Sequence, residues 1–161
     1  MEEDARMENK TLTGKEGRGQ QGVERVYKND QIAIYWEPGL CIHVGNCFRG
    51  LPRVFDPQAR PWVAVGADTA DRIARVVEAC PTGALHYERL DGGEQESAPA
   101  ETIIDARPNG PLFVRGPLKI VEVGGHVIRE DTRAALCRCG HSENKPFCDG
   151  THRLIGFKTT K

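Results

Sequence analysis

Apolar positions fall in short runs along this chain, separated by polar stretches rich in Gly and Pro. The first run, VERVYKNDQIAIYWEPG, carries apolar residues on both sides of Lys28, Asn29 and Asp30. That pattern predicts a β-hairpin, with Val26 on one strand and Ile32 to Trp36 on the other. In ADTADRIARVVEACP the period changes: Ile73, Val76, Val77 and Cys80 recur at helical spacing. Asp68 stands where it can cap this helix and Pro81 where it can stop it. ALHYERL reads as a strand closing the first unit. Further β-prone runs occupy 102–104, 112–114, 118–123 and 126–128, and Gly124-Gly125 marks a hairpin turn between the last two.

The polar stretches divide the chain. Residues 1–22 lack apolar periodicity and read as a disordered leader. Residues 91–101, DGGEQESAPAE, are small, acidic and poor in apolar side chains, the composition of an interdomain linker. The expected plan is a leader over 1–22, one domain over 23–90, the linker, and a second domain over 102–161. Each domain has about 60–70 residues, small enough to need a staple beyond its apolar core. A bound metal centre, whose binding energy is also folding energy, supplies one.

Charge and composition narrow the function classes. The net charge of −1 and the pI near 6.5 argue against a nucleic-acid partner. No apolar run approaches the ~20 residues of a membrane span. The leader has no apolar signal region, and its acidic residues are foreign to a transit peptide, so the expected compartment is the cytoplasm. In a reducing compartment, the six cysteines read as metal ligands rather than disulfides. They form two groups: Cys41, Cys47 and Cys80, then Cys137, Cys139 and Cys148. No GxSxG, P-loop or GxGxxG fingerprint is present, and no carboxylates are grouped as an acid–base pair. The chain therefore reads as a carrier and not an enzyme.

The second cysteine group runs Cys137-Arg-Cys139-Gly-His-Ser142-Glu-Asn-Lys-Pro146-Phe-Cys148-Asp149-Gly150-Thr151-His152. Cys137 and Cys139 can grip one metal from a tight turn. Cys148 and His152 can grip another from a turn entering a helix, with Asp149 placed to cap it. Soft thiolates suit both iron–sulfur clusters and zinc. The segment resembles the CDGSH iron–sulfur family, whose pattern is C-x-C-x2-[ST]-x3-P-x-C-D-G-[STA]-H. Thr151 replaces the name-giving serine, as the pattern allows. The resemblance covers about residues 108–158. It implies a small β-rich domain with a [2Fe–2S] cluster, one iron on Cys137 and Cys139 and the other on Cys148 and His152. It also allows a homodimer. By spacing, His141 is a loop residue and not a ligand. Arg138 and Lys145 flank the site, either offsetting its charge or simply solvated.

In the first group, Cys41 and Cys47 enclose five residues, and Cys80 precedes Pro81. Bacterial ferredoxins use C-x2-C-x2-C and a distant Cys-Pro. On that template the middle position is Val44. Residues 31–88 resemble a divergent single-cluster ferredoxin family, through CIHVGNCFRGLPRVFD, RPWV and VVEACPTGAL. The resemblance implies a small α+β ferredoxin-like domain. Its cluster is [3Fe–4S] on three cysteines, or [4Fe–4S] with a fourth ligand such as solvent or His43. Without the resemblance, Cys80 reads first as a core residue on the apolar face of the expected helix. Trp36, Trp62, Tyr27 and Phe55 read as core, and His86 and His126 as structural or exposed.

Together these features predict a two-cluster protein that moves single electrons between redox partner proteins. Storage or transfer of [2Fe–2S] units to apo iron–sulfur acceptors, redox or pH sensing, and a structural zinc module are the alternatives.

Overall fold

A computed structural model describes residues 24–160, and the leader expected over 1–22 lies outside the described residues. The fold is α+β: two three-stranded antiparallel sheets with a few short helices. Strands β1 (Arg25–Lys28), β2 (Ile32–Trp36) and β3 (Leu85–Arg89) form the first sheet with β2 central. Asn29 makes the hairpin turn: its carboxamide oxygen accepts from the backbone N–H of Gln31 and Ile32. β2 is buried on both faces. Ile32 and Ile34 pack with Val54, Phe55, Ile73 and Val77, while Ala33 and Tyr35 face Val26.

The helix over Ala70–Glu78, α2, lays Ile73, Ala74 and Val77 on that core. It follows a shorter helix, α1, over Asn46–Gly50. The cap of α2 is Thr69 and not Asp68: Thr69 Oγ1 accepts from Arg72 N. Asp68 sits one position earlier, accepting from Thr69 N at 2.7 Å and pairing with Arg72. The helix ends at Glu78, so Cys80 lies beyond it in the following turn.

Strands β4 (Ile103–Ala106), β5 (Leu112–Val121) and β6 (Val127–Leu136) form the second sheet with β5 central. The two runs expected at 112–114 and 118–123 are one strand, with a register shift between Arg115 and Leu118. Gly116, at φ 132°, and Pro117, which has no N–H, carry that bulge. β6 continues past the expected 126–128 run to Leu136, through five polar residues. Arg129 and Arg133 share one face of it and are almost wholly buried.

These arginines join the halves. Arg129 makes a bidentate pair with Glu37 at 3.0 and 3.1 Å and bonds Asp131. Arg133 donates to the carbonyls of Val77, Cys80 and Leu85, and with Arg115 on Glu78 it caps the C-terminal end of α2. His86 lies between Asp131 and Glu96, and Glu96 also pairs with Arg133. The segment 91–101 forms no helix or strand, yet its Glu96 is held in this buried network. An apolar cluster of Leu40, Ala84, Ala134 and Phe147 draws on both halves as well. His126 is exposed.

Gly83 sits in this contact with φ 76°, and a methyl group there would lie 2.5 Å from the Arg133 carbonyl oxygen. Gly83→Ala is expected to cost about 2 kcal/mol or more in denaturant unfolding, combining a left-handed backbone with a backbone clash. A loss under about 0.5 kcal/mol would contradict the close approach.

Candidate metal centres

The C-terminal ligands sit where the chain folds back along the end of β6. Cys137 N donates to Pro146 O at 2.9 Å and Cys148 N to Ala135 O at 2.8 Å, so 146–148 runs antiparallel to 135–137. Ser142 closes the intervening loop, donating through Oγ to Phe147 O and accepting from Asn144 N. The short helix α3, Thr151–Leu154, then carries His152 back to Cys148. Gly150, with φ 88°, is its N-cap. Asp149, the expected cap, acts one residue earlier: its carboxylate accepts from Thr151 N at 3.0 Å and Glu143 N at 2.9 Å.

The four side chains form two pairs. Cys137 and Cys139 sulfurs are 3.9 Å apart, and Cys148 Sγ is 3.4 Å from His152 Nδ1. Two such pairs of donors suit a two-iron core gripped at each end by one pair. Backbone N–H groups of His141 and Gly150 point at Cys139 Sγ and Cys148 Sγ, each at 3.4 Å, which favours the thiolate.

Electrostatics differ between the four. Burial raises the Cys148 pKa. Burial also pushes Cys137 upward, but backbone N–H groups around it, led by that of Ser142, outweigh burial and set it below the ordinary thiol value. Burial, and then the Arg153 charge, lower the His152 pKa and keep the imidazole neutral, as a ligand must be. His141 is exposed, with Nδ1 on Cys139 O, and Lys145 is exposed. Arg138 is tied to the carbonyls of Gly110 and Arg107.

The Asp149 carboxyl is lowered to about 2, foremost by the hydrogen bond at Thr151. Its contribution is present above the ordinary Asp value near 3.9 and is lost as pH falls toward about 2. Asp149→Ala is expected to weaken the turn by about 1 kcal/mol, with Asp149→Asn costing less. The rate at which C-terminal iron is lost to a chelator at neutral pH measures it; equal rates in the two variants would refute the capping role.

The N-terminal cysteines come from three elements. Cys41 follows the 3-10 turn Pro38–Leu40, Cys47 lies in α1, and Cys80 follows α2. Asn46 Nδ2 donates to Ala79 O at 3.0 Å and ties α1 to the Cys80 turn. All three line one cavity of about 470 Å³. Cys41 and Cys47 have raised pKa values, Cys47 to about 11, chiefly through burial. His43 is exposed, and its Nδ1 lies 3.8 Å from Cys41 Sγ, beside a thiol already counted as a ligand. Val44, at the template's second cysteine position, packs against Ile42, Ala135 and Cys148.

Trp36 and Trp62, read from sequence as core, are partly buried and stand edge-to-face at 4.8 Å on the cavity wall. Both indole N–H groups are buried without a hydrogen-bond partner of standard geometry. The Trp36 group still lies near enough to Cys41 to favour its thiolate. Three thiols lining one cavity, with the Trp36 indole N–H beside Cys41, fit a sulfur-rich anionic cluster. No pattern in the sequence announces that indole contact.

Comparison with known proteins finds two family matches. Residues 27–90 match the family described as "Divergent 4Fe-4S mono-cluster", and residues 109–153 the one described as "Iron-binding zinc finger CDGSH type". The "Uncharacterized protein YjdI" of Escherichia coli strain K12 is 33% identical over 66 residues, which cover 41% of this chain and 87% of that protein. The protein of the same name from Escherichia coli O157:H7 has the same identity and coverage. The chain is an iron–sulfur protein that belongs to the divergent 4Fe-4S mono-cluster family and carries a CDGSH-type iron-binding domain after it.

Proposed function

We propose that the protein carries two clusters and passes single electrons between redox partner proteins. Cys137, Cys139, Cys148 and His152 would hold a [2Fe–2S] core. Cys41, Cys47 and Cys80 would hold a [3Fe–4S] or [4Fe–4S] core. Clusters supply one-electron redox states; the polypeptide sets their spacing and potentials. The thiolate-only site is the lower-potential end and the His152 site the higher.

The observation that carries this reading is contact between the two ligand loops. Ile42, next to Cys41, packs on Cys148. Arg153, next to His152, donates to Ile42 O at 2.9 Å, and Asn144 Nδ2 donates to Gly39 O at 3.1 Å. A single residue thus separates a ligand of one site from contact with a ligand of the other. Burial of Cys148 and His152 also favours an electron carrier over a cluster donor, because release must open the fold there.

Paramagnetic resonance on anaerobic protein during stepwise reduction tests this. Two signals are expected, each broadened when both sites are paramagnetic. Cys47→Ser should remove the N-terminal signal and the broadening together. Two signals without mutual broadening, or transfer to an apo-ferredoxin faster than electron exchange, would overturn the proposal.

A further inference from the structure

The N-terminal cavity is larger than its proposed occupant. An eight-atom iron–sulfur core, at the ~30 Å³ a water occupies per heavy atom, takes about half of such a volume. The whole cavity, about 470 Å³, has the size of a small-molecule site, ~300–1,000 Å³. Besides the three cysteines and His43, a second group of residues lines the same cavity: Tyr27, Trp36, Trp62 and Pro61, with Arg25 and Arg60.

That second group has a distinct chemistry. Two guanidinium groups line the cavity and no carboxylate does. Arg25 stacks over the Trp36 ring at 5.6 Å, and Trp36 meets Trp62 edge-on. Arg60 is anchored to the carbonyls of Pro57 and Ala59, which fixes it at the rim. Flat aromatic faces beside fixed cations favour a flat anion, and an arginine takes a carboxylate through paired N–H donors.

We infer that this cavity also binds a small aromatic carboxylate, its ring against Trp36, Trp62 and Tyr27 and its carboxylate toward Arg25 and Arg60. Binding exchanges water for ligand and moves no electron. The inference rests on the proposed N-terminal cluster only for what the cysteines hold. A guest there lies next to that centre, so its arrival alters the cluster's environment.

Benzoate and its neutral counterpart benzamide are the probes, titrated into the anaerobic full-length protein. Tryptophan emission should change saturably with benzoate at millimolar concentration or below, and the N-terminal resonance signal should shift with the same midpoint. Benzamide should bind at least ~10-fold more weakly, a difference of about 1.4 kcal/mol. Arg60→Gln, an exposed position, should weaken benzoate by a similar factor while iron content stays unchanged. Full iron and sulfide at the N-terminal site with no response to benzoate would overturn this inference and leave the two-cluster reading intact. A saturable emission change in protein that takes up no N-terminal iron and sulfide on anaerobic reconstitution would uphold it and overturn the cluster reading instead. Equal affinity for benzoate and benzamide would overturn the role given to the arginines.

Discussion

Arg129→Ala is expected to cost about 3–5 kcal/mol and to loosen the Cys41 loop from the second sheet. Arg129 is wholly buried, and its guanidinium satisfies Glu37 and Asp131 at once. Glu37 immediately precedes the turn that delivers Cys41. Alanine would take a bidentate partner from Glu37 and one of two partners, beside His86, from Asp131 in a site water does not reach. Asp131 shows the dependence. Burial alone would raise its pKa, yet the charges of His86 and Arg129, with their hydrogen bonds, hold it well below the usual carboxylate range. Its stabilising contribution is therefore present above the ordinary Asp value and fades as pH falls below it. Arg129→Lys keeps the charge but not the fork and should recover only part of the loss. Urea unfolding followed by tryptophan emission measures these differences. A cost below about 1 kcal/mol for the alanine variant would show that the pair contributes little to joining the halves.

His152→Cys should lower the potential of the C-terminal centre by on the order of 100–300 mV, about half the span between Rieske and plant-type centres. A thiolate adds negative charge where an imidazole adds none. The same exchange should slow cluster loss in mild acid. His152 has a folded pKa below the ordinary value near 6.5, through burial and the neighbouring Arg153. The unfolded chain thus takes up the proton first, and stability falls as pH drops from there toward the depressed value. Removing the imidazole removes that dependence, since a coordinated thiol stays deprotonated. Voltammetry reads the potential, and decay of the visible absorbance at mildly acidic pH reads the lability. An unchanged decay rate would rule out protonation of His152 as the cause of acid loss.

The candidate donor side chains stand out in the sequence because metal-binding patterns are local. Cys137, Cys139, Cys148 and His152 lie within one turn-rich segment, and the structure brings them together as two pairs. The first hairpin and α2 were legible too, the hairpin from apolar runs on either side of a polar turn and α2 from its helical period. The limits of local reading show in β6. Arg129, Asp131 and Arg133 alternate along it as buried residues, where a period-2 run of charges reads as a solvent face. Nothing near them in the chain states that Glu37, His86 and Glu96 will neutralise them from 37 to 92 residues away. The same holds for Trp36 and Trp62, whose rings marked them as core but which also line a cavity.

The sequence by itself determined the two cysteine groups, the first hairpin and α2, because residue identity and short apolar patterns are properties of neighbouring residues. Only the tertiary structure decided that the two groups stand side by side, that buried arginines join the halves, and that one cavity collects Cys41, Cys47 and Cys80. Those are matters of charge pairing and packing across long loops, and a buried charge takes its partner from wherever the fold delivers one.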